Sequence, residues 1–153
     1  MSSLSNADKI ISVWIKKGDL EEDSFSKFIY YWVAFNCWFY TKTNKVQDSE
    51  ALKDIYKRQD LYSGFVQLVA KNKPIFLKLV SICPIKNNRI SGREKNINDM
   101  EKFEEVVNIL YEIRCNLFHG SKLDTEERDK EVVEMATPIL EIIVKNVSHF
   151  RMK

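Results

Sequence analysis

Two histidines, three cysteines, three prolines and four glycines are all that this 153-residue chain holds of those types. An all-β domain needs frequent Gly and Pro turns, so their scarcity favours long helices. The cysteines, Cys37, Cys83 and Cys115, are far apart, odd in number and free of any C-x-x-C pair. With only His119 and His149 beside them, neither a disulfide framework nor a zinc site can be assembled, and a reducing cytoplasm is the expected setting. Charge of one sign is also lacking: 24 Lys+Arg face 22 Asp+Glu, a net +2. That gives no bulk attraction to nucleic acid, although a local basic groove stays open. The apolar run from Phe28 to Tyr40 has 13 residues and includes Asn36. A bilayer needs about 20, so this is a core helix and no membrane partner is expected. Met1 to Gly18 mixes charges with its apolar residues, unlike a secretory signal. There is no glycine-rich phosphate loop, no H-E-x-x-H and no carboxylate cluster, so no metal and no cofactor is expected.

What is present is material for a core. The chain is 44% hydrophobic and 30% charged, which suits one ordinary domain over residues 1–153. An all-α bundle of about five to six helices is expected. A first helix spans Asn6 to Lys17, with Ser5 and Asp8 at its start and Gly18 as its stop. A second runs from Asp23 or Ser24 to about Thr43. Its residues Phe25, Phe28, Trp32, Phe35 and Phe39 form an aromatic stripe, and Ile29, Val33, Asn36 and Tyr40 form a second line. Apolar on two sides, it should be sandwiched inside a bundle or against a second subunit. Asp48 opens a third helix, which Gly64 weakens further on. Pro74 begins a short helix that Cys83-Pro84 ends. Lys86 to Ile97 reads as a basic loop. Asn98 with Glu101 resembles a capping box for a helix that Gly120 stops. The last helix starts near Asp124, and Pro138 should kink or divide it.

The only concentrated chemical signal is Arg114-Cys115-Asn116-Leu117-Phe118-His119-Gly120. One reading is a helix ending: cationic side chains near a C-terminus interact with the helix dipole by roughly 0.3–1 kcal/mol, and glycine follows naturally. At 100° per residue, Arg114 and His119 stand about 140° apart on an ideal helix. The other reading is chemical. A guanidinium holds phosphate bidentately and stabilises developing charge, and an imidazole moves protons near neutral pH. Together they suit RNA cleavage by attack of a 2′-hydroxyl on its neighbouring phosphate. One such pair per subunit is sparse, and a twofold dimer would double it in one cleft.

The run Glu112-Ile113-Arg114-Cys115-Asn116-Leu117-Phe118-His119-Gly120 resembles the R-x4-6-H motif of HEPN domains. The segment Trp32-Val33-Ala34-Phe35-Asn36 with Tyr40 resembles the aromatic helix of the Apea-like and related prokaryotic branches. The likeness extends over roughly residues 25–147, with the motif on the penultimate helix. It implies a dimerising helical bundle in which Arg and His of both subunits meet in a cleft. Active members are metal-independent endoribonucleases of toxin–antitoxin and antiviral-defence systems. On this resemblance Arg114 would hold the scissile phosphate and His119 would be acid or base. RNA is then the substrate, a homodimer the assembly, and an antitoxin or defence protein a further partner. Many active members carry a polar residue directly after the Arg; here that place is Cys115, and the polar residue is Asn116, a helper by position. The family also includes members that bind RNA, nucleotides or proteins without cutting. Asn36 suits either a hydrogen bond toward the His119 cleft or a satisfied place in the core. Tyr40 and Tyr111 suit base stacking or the core rim.

Overall fold

Asp23 has extended backbone, and its carboxylate accepts from Ser26 N at 3.0 Å. It therefore caps the N-terminus of the most apolar helix in the chain. In the computed structural model, which describes residues 6–86, 92–118 and 127–147, that helix is α2 (Ser24–Thr43), ended by Asn44 in the left-handed conformation. It follows α1 (Asn6–Leu20). Then come α3 (Asp48–Tyr56), a 3-10 turn at Gln59–Leu61, α4 (Tyr62–Lys71), α5 (Lys73–Ser81), α6 (Phe103–Phe118) and α7 (Glu127–Asn146). The protein is an all-α helical bundle, with seven helices among the described residues. The seventh arises because the stretch after Asp48 breaks at Lys57–Arg58, ahead of Gly64.

Four of the five stripe residues, Phe28, Trp32, Phe35 and Phe39, are buried. Trp32 is their hub, with ring centroids 5.5 Å from Phe35, 6.1 Å from Phe39 and 6.2 Å from Tyr111 of α6. Helix α2 is covered by α1 on one flank and by α7 on another, with α3 against it as well. The sandwich expected around α2 is thus built within one chain. It leaves Ile29, Val33, Asn36 and Tyr40 half-buried.

Helix α1 does not stop at Gly18. It continues to Leu20, and Gly18 is buried against α2. A Cβ there would lie 2.5 Å from Tyr31 Cε1. Glycine is required for the close approach of two helices, not for a turn. The same junction is polar at its edge: Tyr31 donates to Asp19 Oδ1 at 2.7 Å, and Lys145 of α7 reaches that carboxylate at 2.8 Å.

The basic segment contains a short ladder, β1 (Ile85–Lys86) against β2 (Glu94–Lys95), antiparallel with Ile85 opposite Lys95. Helix α6 begins at Phe103, later than a box at Asn98 would place it. Glu105 reaches back instead, accepting from Asn98 N at 2.7 Å and Asp99 N at 3.1 Å. Pro138 does not divide α7. The carbonyl that loses its amide partner belongs to Glu134, an exposed residue that water can serve. Thr137 ties the helix to the start of α2, its hydroxyl 2.7 Å from Val133 O and 3.2 Å from Ser24 O. No helix among the described residues is long and apolar enough to cross a membrane. Ser5, Gly120, Asp124 and both histidines lie outside the described residues.

Candidate functional site

Arg114 occupies the last turn but one of α6, after a run of apolar positions that bury the opposite side of the helix. Its guanidinium is turned toward the N-terminus of α3. Nη2 lies 3.5 Å from Asp48 Oδ2, with the Arg side chain 23% and the Asp side chain 12% exposed. The guanidinium carbon stands 4.6 Å from the centroid of the Phe118 ring, a cation–π contact one turn along the same helix. Nη1 approaches Cys115 Sγ at 3.9 Å.

Asp48 is held from its other side by α2, where the Tyr40 hydroxyl donates to Oδ1. Being in the first turn of α3, the carboxylate also benefits from the helix N-terminus. Burial and this hydrogen bond to the carboxylate push the Tyr40 phenol up to about 12. Tyr111, one turn before Arg114, is pushed up to about 12 by burial first and by Cys115 next. Tyr40, Asp48 and Arg114 therefore form a chain across three helices, with a neutral phenol, a carboxylate and a guanidinium in sequence.

This chain is not fully satisfied. Asp48 Oδ2 and Arg114 Nε are buried without a hydrogen-bond partner among the described residues. The two groups attract each other as charges, but 3.5 Å without a hydrogen bond is a loose pairing compared with the 2.7–2.9 Å of a charge-assisted one. A guanidinium has five N–H donors. Of those of Arg114, Nε is buried, Nη1 faces Cys115 Sγ and Nη2 faces Asp48, while the side chain as a whole keeps 23% exposure.

The structure joins Arg114 and Tyr40 through Asp48, a residue whose role sequence reasoning had confined to opening a helix. Asn36 is half-buried one turn before Tyr40 on α2. Asn116 is elsewhere: two residues on from Arg114, it points to the far side of α6, is 2% exposed, and donates to Lys86 O at 2.9 Å. It fastens β1 to the helix. His119 lies outside the described residues. Among the described residues no three His, Cys, Asp or Glu side chains are grouped to hold a metal.

Comparison with protein families, with curated proteins and with solved structures finds no match to this chain.

Proposed function

We propose that the chain is a HEPN-type endoribonuclease that works without a metal as a homodimer, with Arg114 stabilising the scissile phosphate and His119 as general acid or base. The observation that carries this reading is the under-bonded guanidinium of Arg114, loosely held by Asp48 and 23% exposed. Its place near the end of the penultimate helix, followed by one more helix, agrees with the motif Arg114–His119. In the reaction the 2′-hydroxyl oxygen attacks the adjacent phosphorus and loses its proton to a base. The 5′-oxygen leaves and takes a proton from an acid, giving a cyclic phosphate and a 5′-hydroxyl. Arg114 would neutralise the charge that grows on the non-bridging oxygens. Two histidines, one from each subunit, would divide the proton transfers. Asp48 and Tyr40 are positioning residues in this scheme, since they act through the guanidinium that they orient. A toxin or antiviral-defence role, in the cytoplasm and with an antitoxin or defence partner, follows from the same reading.

The test is cleavage of labelled single-stranded RNA by purified protein in the presence of a chelator. Wild type should cut, and His119→Ala should lose roughly 10²–10⁴-fold in rate while melting at nearly the same temperature. Undiminished cutting by that variant would move the chemistry elsewhere.

A second reading has its own observation. Asp48 already faces the guanidinium, which favours a non-catalytic module that binds RNA, a nucleotide or a protein partner through the same residues. It differs in one outcome: Arg114→Ala would weaken binding of RNA that wild type holds but never cuts.

A further inference from the structure

Beside the Arg114 chain lies a cavity of about 210 Å³ between α3 and α6. Its walls include Tyr56 and Tyr111, its polar lining includes Ser49 and Asn108, and Lys53 and Lys95 stand at it as cations. We propose that this cavity is a nucleobase subsite, taking one unpaired base of the RNA whose phosphate Arg114 holds; the inference rests on the RNA-directed reading above and adds where the neighbouring base goes.

Four observations lead there. The first is continuity. Ser49 follows Asp48 in the chain, and Tyr111 lies three residues before Arg114 on the same helix, where side chains are neighbours with about 5–6 Å between Cβ atoms. A strand with a phosphate on Arg114 has its next base within reach of the cavity. The second is size. Sites for drug-sized ligands run to about 300–1,000 Å³, so this smaller space suits a single ring system better than a whole nucleotide.

The third is the lining. Tyr111 is braced by Trp32 at 6.2 Å and has the Lys95 ammonium 5.6 Å from its ring centroid. The Lys95 ammonium marks a ring face whose π-surface draws a ligand, and a base stacking there would take the place of that ammonium, leaving it to pair with a phosphate. The Tyr56 hydroxyl lies 3.0 Å from Asn108 Oδ1. With the phenol donating, the amide NH₂ of Asn108 is left to offer donors to a base carbonyl. The fourth is charge. Lys53 and Lys95 outnumber Glu104 among the lining residues, which favours a strand bearing phosphates on either side of the base.

The test is binding of a short labelled RNA, blocked against cleavage by 2′-O-methyl groups, and of the same strand with an abasic site moved along it one position at a time. With wild type, one abasic position should weaken binding roughly tenfold, in keeping with loss of one base–aromatic stack. Ser49→Trp, a change at an exposed helix position that fills the cavity, should bind the intact strand with that same tenfold loss and should be indifferent to the abasic position. Lys95→Ala should show a smaller loss of the same kind. Equal binding of every abasic strand by wild type overturns the subsite whether or not the variants fold. If binding nevertheless depends on Arg114, the reading of Arg114 stands and only the subsite falls. If wild type binds no RNA, both fall.

Discussion

Lys145 and Arg114 each cross a helix–helix junction to reach an aspartate, Asp19 in one case and Asp48 in the other. At the first junction every link is short. Lys145 lies 2.8 Å from Asp19 and 2.7 Å from Glu141, and Tyr31 adds a bond of 2.7 Å to the same carboxylate. Burial would raise the Asp19 carboxyl, but the hydrogen bonds from Lys145 and Tyr31 override it and hold the group below its usual range. At the second junction the aspartate and arginine are more deeply buried, yet they sit 3.5 Å apart and each keeps a buried polar atom without a hydrogen bond among the described residues. A structural strut places its charges where bonding is complete, as the first does. Buried polar groups that lack partners are uncommon and call for an explanation. Asp48 Oδ2 and Arg114 Nε belong to that class, and no side-chain atom of Lys145, Asp19 or Tyr31 does.

The largest expected effect separates the two junctions directly. Removing one partner of a buried ion pair costs about 3–5 kcal/mol because the other charge is left uncompensated. Arg114→Ala should therefore destabilise by roughly 3 kcal/mol, the low end, since water reaches part of the pair. Denaturant unfolding measures this, and restoration of most of the loss by adding Asp48→Asn would confirm the coupling. Next is Gly18→Ala at the strut. Overpacking a core costs about 1–3 kcal/mol and alanine regains about 1 kcal/mol of helix propensity. With the new Cβ only 2.5 Å from the Tyr31 ring, the steric cost should dominate and leave a net loss of roughly 2 kcal/mol.

A pH titration sharpens the contrast further. Tyr40 and Tyr111 ionise near 10 when unfolded and near 12 in the bundle. The unfolded chain releases these protons first as pH rises. The stability they contribute is thus complete below about pH 10 and is lost on approach to about pH 12. Asp48→Asn removes the carboxylate that accepts from Tyr40, so ultraviolet titration should show one tyrosine moving back toward 10. The smallest effect is expected at Asp19→Asn. Asp19 and Lys145 are more than a third exposed, so a loss of about 0.2–1 kcal/mol, the range of surface pairs, is expected on unfolding.

Local signals made part of this legible in the sequence. Helix α2 was readable to within a residue at each end, because an aromatic stripe at steps of three and four follows a capping aspartate. Gly18 misled because glycine ends helices and also lets them touch, and only a partner ring, Tyr31, tells the two apart. The start of α6 shifted because Glu105, seven residues on, took over the capping that Glu101 was expected to give. The same limit governs the site. Arg114 and Tyr40 could be singled out by type and motif, but Asp48 sits 66 residues from Arg114 with no periodic relation to it. Asn116 shows the converse. Its neighbourhood in sequence suggested a helper for Arg114, while the helical turn sends it to the Lys86 carbonyl.

The most direct measurement is the affinity of a non-cleavable single-stranded RNA for wild type and for Arg114→Ala across a range of salt concentrations, with Lys145→Ala as the comparison. If the guanidinium beside Asp48 holds a phosphate, Arg114→Ala weakens binding and lowers the salt slope by about one charge, while Lys145→Ala leaves both unchanged. Equal affinity and slope for folded wild type and Arg114→Ala would contradict it, and Arg114 would then be a second strut.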